Sequence, residues 1–262
     1  MKSIPRLLGS LSILLFSSLA IPSLQAATIN VTDTTDAFDG SVCTLRNAIE
    51  SMNNGADFGG CANSSPDAYG TNDTITLTAQ TYVLSLGTTN EDDNADGDLD
   101  ISVSVNITGA GADQTAVSGS GFPDGEEDRV FHVIEPIIGT GGFVPVITVN
   151  IEGLTIRDGG GLLNNNGLLT LDNSLVTQNI ASSDGGALQN DVTAMTVIRN
   201  STLDDNFAPD DGGAIIEGTL ILVNSTVSNN EAGFQGGGIF VVNQSVSGDG
   251  GPSFVSLFNV TV

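Results

Sequence analysis

Apolar residues in this chain fall in short runs that alternate with small or polar residues and are bounded by Gly, Asn and Asp. Leu168-Leu169-Thr170-Leu171, Met195-Thr196-Val197-Ile198 and Leu220-Ile221-Leu222-Val223 are the clearest. Runs this short, with a period near two, predict β-strands joined by tight turns and leave no room for helices. Shorter apolar pairs accompany each run, at Ala187-Leu188 and Ile239-Phe240, and at Leu175-Val176 and Thr226-Val227. One stretch follows a different period. Between Thr44 and Asn53, Leu45, Ala48, Ile49 and Met52 share one helical face, which predicts a single short helix.

The strand pattern repeats with its surroundings. Gly-Gly-(Ala/Gly)-(Leu/Ile) begins at Gly159, Gly185, Gly212 and Gly236, at spacings of 26, 27 and 24 residues. Asn179, Asn206 and Asn230 stand six residues before the last three blocks, and the Asn-Ser pairs at Asn173, Asn200 and Asn224 stand six residues earlier still. Constant offsets mark a stacked repeat whose units bury their apolar faces only against one another. Three strands per unit predict an all-β fold, a right-handed parallel β-helix with three short strands per coil and a short N-terminal capping helix. The glycines serve turns and close backbone approach, and the recurrent Asn residues serve turns and ladders rather than a ligand.

At the N-terminus, Lys2 and Arg6 precede an apolar stretch from Leu7 to Ile21 and small residues at Ala26-Ala27, the pattern of a secretory signal peptide. The expected organisation is a leader at 1–26, a cap at 27–72 and the β-helix at 73–262. No other apolar run approaches the length of a membrane span. Without the leader the chain keeps four Arg, no Lys and 31 acidic residues, a net charge near −27, which excludes nucleic acid and anionic lipid as partners. Cys43 and Cys61 are the two cysteines; in an exported chain an even pair at close spacing points to a disulfide rather than to free thiols, a metal site or a catalytic site.

Cys43-Thr44-Leu45-Arg46-Asn47-Ala48-Ile49, then Met52-Asn53 and Gly60-Cys61, resembles the CSLREA-domain motif that begins many exported bacterial β-helix proteins. Gly97-Asp98-Leu99-Asp100-Ile101, Ile107-Thr108-Gly109-Ala110-Gly111, Asp128-Arg129-Val130-Phe131 and Gly153-Leu154-Thr155-Ile156 look like the segments that follow it there. The Gly-Gly repeats are similar to those of polymorphic outer-membrane proteins, with a pectin-lyase-like fold. The resemblance implies a secreted or cell-surface β-helix, its first coil covered by the helix, and implies no reaction. In the family motif a Ser and a Glu form a capping box; Thr44 keeps the cap here, and Asn47 replaces the Glu.

The expected role is therefore a non-catalytic scaffold or adhesin that presents an acidic surface to a cell-surface glycan or protein, with a polysaccharide lyase or glycoside hydrolase as the alternative. For the alternative, carboxylates occur at Asp204-Asp205 and Asp210-Asp211, beside turns, but adjacency in sequence does not set the separation that glycoside cleavage needs. Cations for an acidic sugar are few after residue 150, Arg157 and Arg199, and no Trp offers a stacking platform. His132, the sole histidine, reads as a strand residue flanked by Phe131 and Val133, with no nucleophile motif nearby. Calcium is the one cofactor suggested. Asp92, Asn94, Asp96, Asp98 and Asp100 alternate around Gly97 as in an EF-hand loop, although Val103 stands where the closing Glu belongs. Leu257-Phe258-Asn259-Val260-Thr261-Val262 matches Leu222 to Val227, so further coils or an anchor are expected to follow.

Overall fold

The computed structural model describes residues 26–38, 40–87, 92–120, 128–134, 146–191, 193–216, 218–241 and 254–262. The leader expected at 1–26 lies outside them apart from its last residue. The described residues are mostly strands, arranged in parallel sheets, with one helix, α1 (Leu45–Asn54).

The largest sheet stacks β1 (Thr28–Asn30), β2 (Asp73–Thr76), β5 (Val105–Thr108), β8 (Thr148–Glu152), β11 (Leu168–Asp172), β14 (Met195–Arg199), β18 (Thr219–Val223) and β22 (Phe254–Phe258). A second holds β3 (Thr81–Val83), β6 (Ala116–Ser118), β9 (Thr155–Arg157), β12 (Leu175–Thr177), β15 (Thr202–Asp204) and β19 (Thr226–Ser228). The third holds β4 (Leu99–Ile101), β7 (Phe131–Val133), β10 (Leu162–Asn164), β13 (Leu188–Asn190), β17 (Ile215–Ile216) and β21 (Ile239–Phe240). From β2 onward the chain deals its strands to these three sheets in rotation. A two-stranded sheet, β16 (Phe207–Ala208) with β20 (Glu231–Ala232), is added in the last two full circuits.

Register aligns like with like. Ile29, Ile75, Ile107, Ile151, Leu171, Ile198 and Leu222 are successive partners in the largest sheet, all of them buried. Tyr82, Val117, Ile156, Val176, Leu203 and Val227 form the matching column in the second. A one-residue slip would turn every one of these side chains outward, at a cost of about 1.5–3 kcal/mol for each large residue exposed. The apolar column therefore fixes the register.

The corners are made by residues that accept left-handed backbone. Asn173, Asn200, Asn224 and Asn259, at φ 47–55°, follow strands of the largest sheet. Asp158, Gln178, Asp205 and Asn229, at φ 52–57°, follow strands of the second. In the Gly-Gly block the two glycines answer separate demands. Gly212 has φ 68°, whereas a side chain on Gly213 would run into the carbonyls of Gly237 and Glu231 in the next circuit.

Behind the second-sheet corners at Gln178, Asp205 and Asn229 stands an Asn, buried at Asn179 and Asn206 and half-buried at Asn230. Asn179 Nδ2 donates to Asn206 Oδ1 at 3.0 Å and Asn206 Nδ2 to Asn230 Oδ1 at 2.8 Å, while the backbone N–H groups of Asn179 and Asn206 donate to the same oxygens. Ser174, Ser201 and Ser225 are linked likewise, each backbone N–H to the next hydroxyl oxygen.

Helix α1 starts at Thr44, whose hydroxyl accepts the Asn47 N–H at 3.2 Å, and ends at Gly55 in left-handed conformation. Asn47 Nδ2 donates to the Val42 carbonyl, so the reciprocal half of a capping box is replaced by a bond to the incoming chain. Leu45, Ala48, Ile49 and Met52 are all buried. On the far side, Asn53 donates to the Asp100 carbonyl and accepts the Ser102 N–H, occupying backbone groups beside edge strand β4. A disulfide joins Cys43 to Cys61. No helix among the described residues is long and apolar enough to cross a membrane.

Candidate functional site

Between α1 and β4 lies a cleft of about 420 Å³ lined by Glu50, Asn53, Asp92, Asp93, Asp100 and Ile134, among others. Its acids arrive from three places: the helix, the loop entering β4, and β4 itself. Asp100 and His132 are direct partners in the register between β4 and β7, which sets a carboxylate beside an imidazole. His132 Nδ1 stands 3.0 Å from Asp100 Oδ1, 3.5 Å from Asp92 Oδ1 and 3.8 Å from Asp98 Oδ2. Its other nitrogen, Nε2, lies 2.7 Å from Asn165 Nδ2. An amide nitrogen can only donate, so Nε2 accepts in this arrangement and Nδ1 carries the proton. The His132 side chain is 6% exposed and the Asp92 side chain 73%, so the imidazole is reached from the Asp92 side.

The five residues expected to bind calcium do not converge as an EF-hand set. The loop is wound around a cation, but a covalently attached one, Arg46. Its Nη1 donates to the carbonyls of Asn94, Asp96 and Asp98, and its Nη2 to that of Gly97. Nε and Nη2 also grip Asp36, whose second oxygen accepts the N–H groups of Ser85 and Leu86. Asn94 turns toward the helix, donating to the Arg46 carbonyl and to Glu50. Asp92 and Asp100 alone of the five join a group of His, Cys or carboxylate side chains close enough to share an ion, and the third member is His132. Asp96 and Asp98 lie outside that group.

A second buried arginine lies one circuit on. Arg129 donates to the carbonyls of Gly160, Gly185 and Asp184 and to Gln189 Oε1, bridging the Gly-rich corners of the next two circuits. Burial lowers its pKa to about 10, against the opposing pull of Asp98, Asp128 and Asp184. Burial also pushes the neighbouring Asp128 carboxyl above its ordinary value; one of its oxygens accepts the Arg129 N–H, and the other is buried without a hydrogen bond.

The acidic turns considered for carbohydrate cleavage are corners. Asp204 Oδ1 accepts from Ser228 and Asn229 of the next circuit, and Asp205 supplies a left-handed corner. The Asp210 and Asp211 N–H groups are tied back to Ser183 and Asp184. The His132 grouping was within reach of the sequence. Aligning Leu99-Asp100-Ile101 with Phe131-His132-Val133 as equivalent strands puts Asp100 against His132, as the register does. The two structural arginines gave no periodic signal. Comparison with known protein families, with characterised proteins and with solved structures finds no match to this chain.

Proposed function

We propose that the protein is a right-handed parallel β-helix, exported from a bacterial cell, that works as a non-catalytic scaffold or adhesin displaying acidic turns at the cell exterior. One observation carries this reading: all four arginines outside the leader are engaged by the chain's own oxygens. Arg46 and Arg129 are buried on carbonyls, Arg157 lies 2.9 Å from Asp158, and Arg199 lies 3.4 Å from Asp172. An enzyme that cleaves an acidic polysaccharide needs cations over its substrate. Those present here are committed to the fold or to neighbouring acids. Repeated residues go to corners and ladders, and variation is left to the turns, which suits recognition of a glycan or protein.

The lyase or hydrolase reading keeps one observation in its favour, the Asp100–His132 pair beside a cleft. The test is a screen of the purified protein against neutral and acidic polysaccharides, reading reducing ends and unsaturated products, run beside a binding array of surface glycans. Binding without turnover is expected. Turnover abolished by His132→Gln, or by changing Asp204, Asp205, Asp210 and Asp211 to Asn, would replace the scaffold with an enzyme.

A further inference from the structure

We infer that Asp92, Asp100 and His132 form a binding site for a first-row divalent cation such as Zn²⁺ or Mn²⁺, which clamps the loop before β4 onto strands β4 and β7. This goes beyond the scaffold reading and holds whether or not the protein has a surface partner.

The donor set is the first argument. Two carboxylate oxygens and an imidazole nitrogen have ligand atoms all within 4.8 Å of one another. Ions held at about 2.0–2.2 Å place neighbouring donors roughly 3.0–3.5 Å apart. The Nδ1 separations of 3.0 Å to Asp100 and 3.5 Å to Asp92 fall in that span, and Asp98 at 3.8 Å is slightly beyond it. Imidazole with carboxylate suits zinc or manganese, whereas calcium takes oxygen donors.

A second and independent argument is the state of Asp100. The residue is fully buried, and its Oδ1, 3.0 Å from the protonated Nδ1, makes no hydrogen bond of good geometry. A buried carboxylate oxygen without a well-formed hydrogen bond is costly, and a cation bound to both it and the imidazole removes that cost. The partner oxygen, Oδ2, is already fixed by the Asn94 N–H at 3.1 Å, so the carboxylate is oriented from behind. Three carboxylates around one imidazole also repel one another, and a divalent charge offsets this. The cleft supplies an entry path and room for water at the remaining coordination positions, because Asp92 and Asp100 both line it.

Coordination at Nδ1 requires the proton to sit on Nε2. Asn165 then accepts that proton through its Oδ1, which needs only a turn of the amide about its last bond. The same side chain therefore serves both states of the ring.

The test exploits the single histidine of the chain. Metal-stripped protein, free of any tag histidine, is titrated with Zn²⁺, Mn²⁺ or Ca²⁺ while the ring nitrogens of His132 are followed by long-range ¹H–¹⁵N NMR and the melting temperature is recorded. One equivalent of Zn²⁺ is expected to shift Nδ1 rather than Nε2, Mn²⁺ to broaden the ring signals, and either to raise the melting temperature. Asp92→Asn and Asp100→Asn should each weaken Zn²⁺ binding about tenfold or more, while Asp204→Asn leaves it unchanged. An unmoved Nδ1 at millimolar Zn²⁺ in the unaltered protein overturns the site, and this readout needs no variant to fold. So does a Zn²⁺ shift that both Asp variants retain in full, or stabilisation by Ca²⁺ that leaves His132 untouched.

Discussion

The circuits from 168 to 232 and the cap with its first circuits, 27 to 134, solve one problem in two ways. Each has polar backbone at its corners that must be bonded once it is buried. The later circuits use a periodic device, a buried Asn whose amide bonds its own corner and the Asn of the next circuit, seen at Asn179 and Asn206 and ending on the half-buried Asn230. The earlier part uses single long cations: Arg46 gathers four carbonyls and a carboxylate, and Arg129 reaches across two circuits. A periodic device spreads its contribution over many residues, whereas a solitary one concentrates it in a single side chain.

That difference is open to attack by mutation, and the largest effect is expected at Arg46. Arg46→Ala strands the Asp36 carboxylate and the loop carbonyls, and should lower stability by about 3–5 kcal/mol in urea unfolding. Arg46→Lys should recover little, since three donors on a flexible stem cannot replace the guanidinium fork. By contrast Arg199→Ala, at an exposed pair with Asp172, should cost less than about 1 kcal/mol. Equal losses at the two positions would erase the contrast between buried and surface arginines.

Reducing the Cys43–Cys61 bond should lower the unfolding free energy by about 3 kcal/mol, and hydrogen exchange should quicken in α1 before it does in β11 or β14. Uniform acceleration would mean that the cap and the later circuits unfold together. Within the periodic half, Asn206→Ala should cost about 2 kcal/mol. A double-mutant cycle with Asn179→Ala should show coupling, because the two amides share a bond. Strict additivity would show that the ladder is only a row of separate corners.

The smallest effect concerns Asp128. Burial places its folded pKa above the unfolded value, so folding takes up a proton between the two, and stability from this group falls as pH rises through that window. Asp128→Asn removes the dependence. Its melting temperature should exceed that of the unaltered protein at pH 7, and the gap should close as pH drops below about 4, where the carboxyl is protonated in both states. A gap that widens in acid would reverse the sign.

The same contrast explains what could be read in advance. The strands expected at 168–171, 195–198 and 220–223 appear at Leu168–Asp172, Met195–Arg199 and Thr219–Val223, because alternation and corner chemistry repeat there and each copy supports the others. The helix was legible from its own period. In the acidic run from Asp92 to Asp100 local spacing resembles a calcium loop, but the cation its carbonyls hold comes from Arg46, about fifty residues earlier. No local pattern announces a partner so distant in the chain, and His132 joined the acids only through sheet register.

Register is kept while the chain between partners varies freely. Thr148 pairs with Leu168, 20 residues on, whereas Thr28 pairs with Thr74, 46 residues on, and both belong to one sheet. Insertions and deletions are therefore absorbed at the corners and refused within the strands. In evolutionary terms the molecule can lengthen a corner loop in any circuit, or duplicate a whole circuit, without altering the residues beneath it. A frame of fixed columns with free intervals can diversify its outline quickly while its interior scarcely changes.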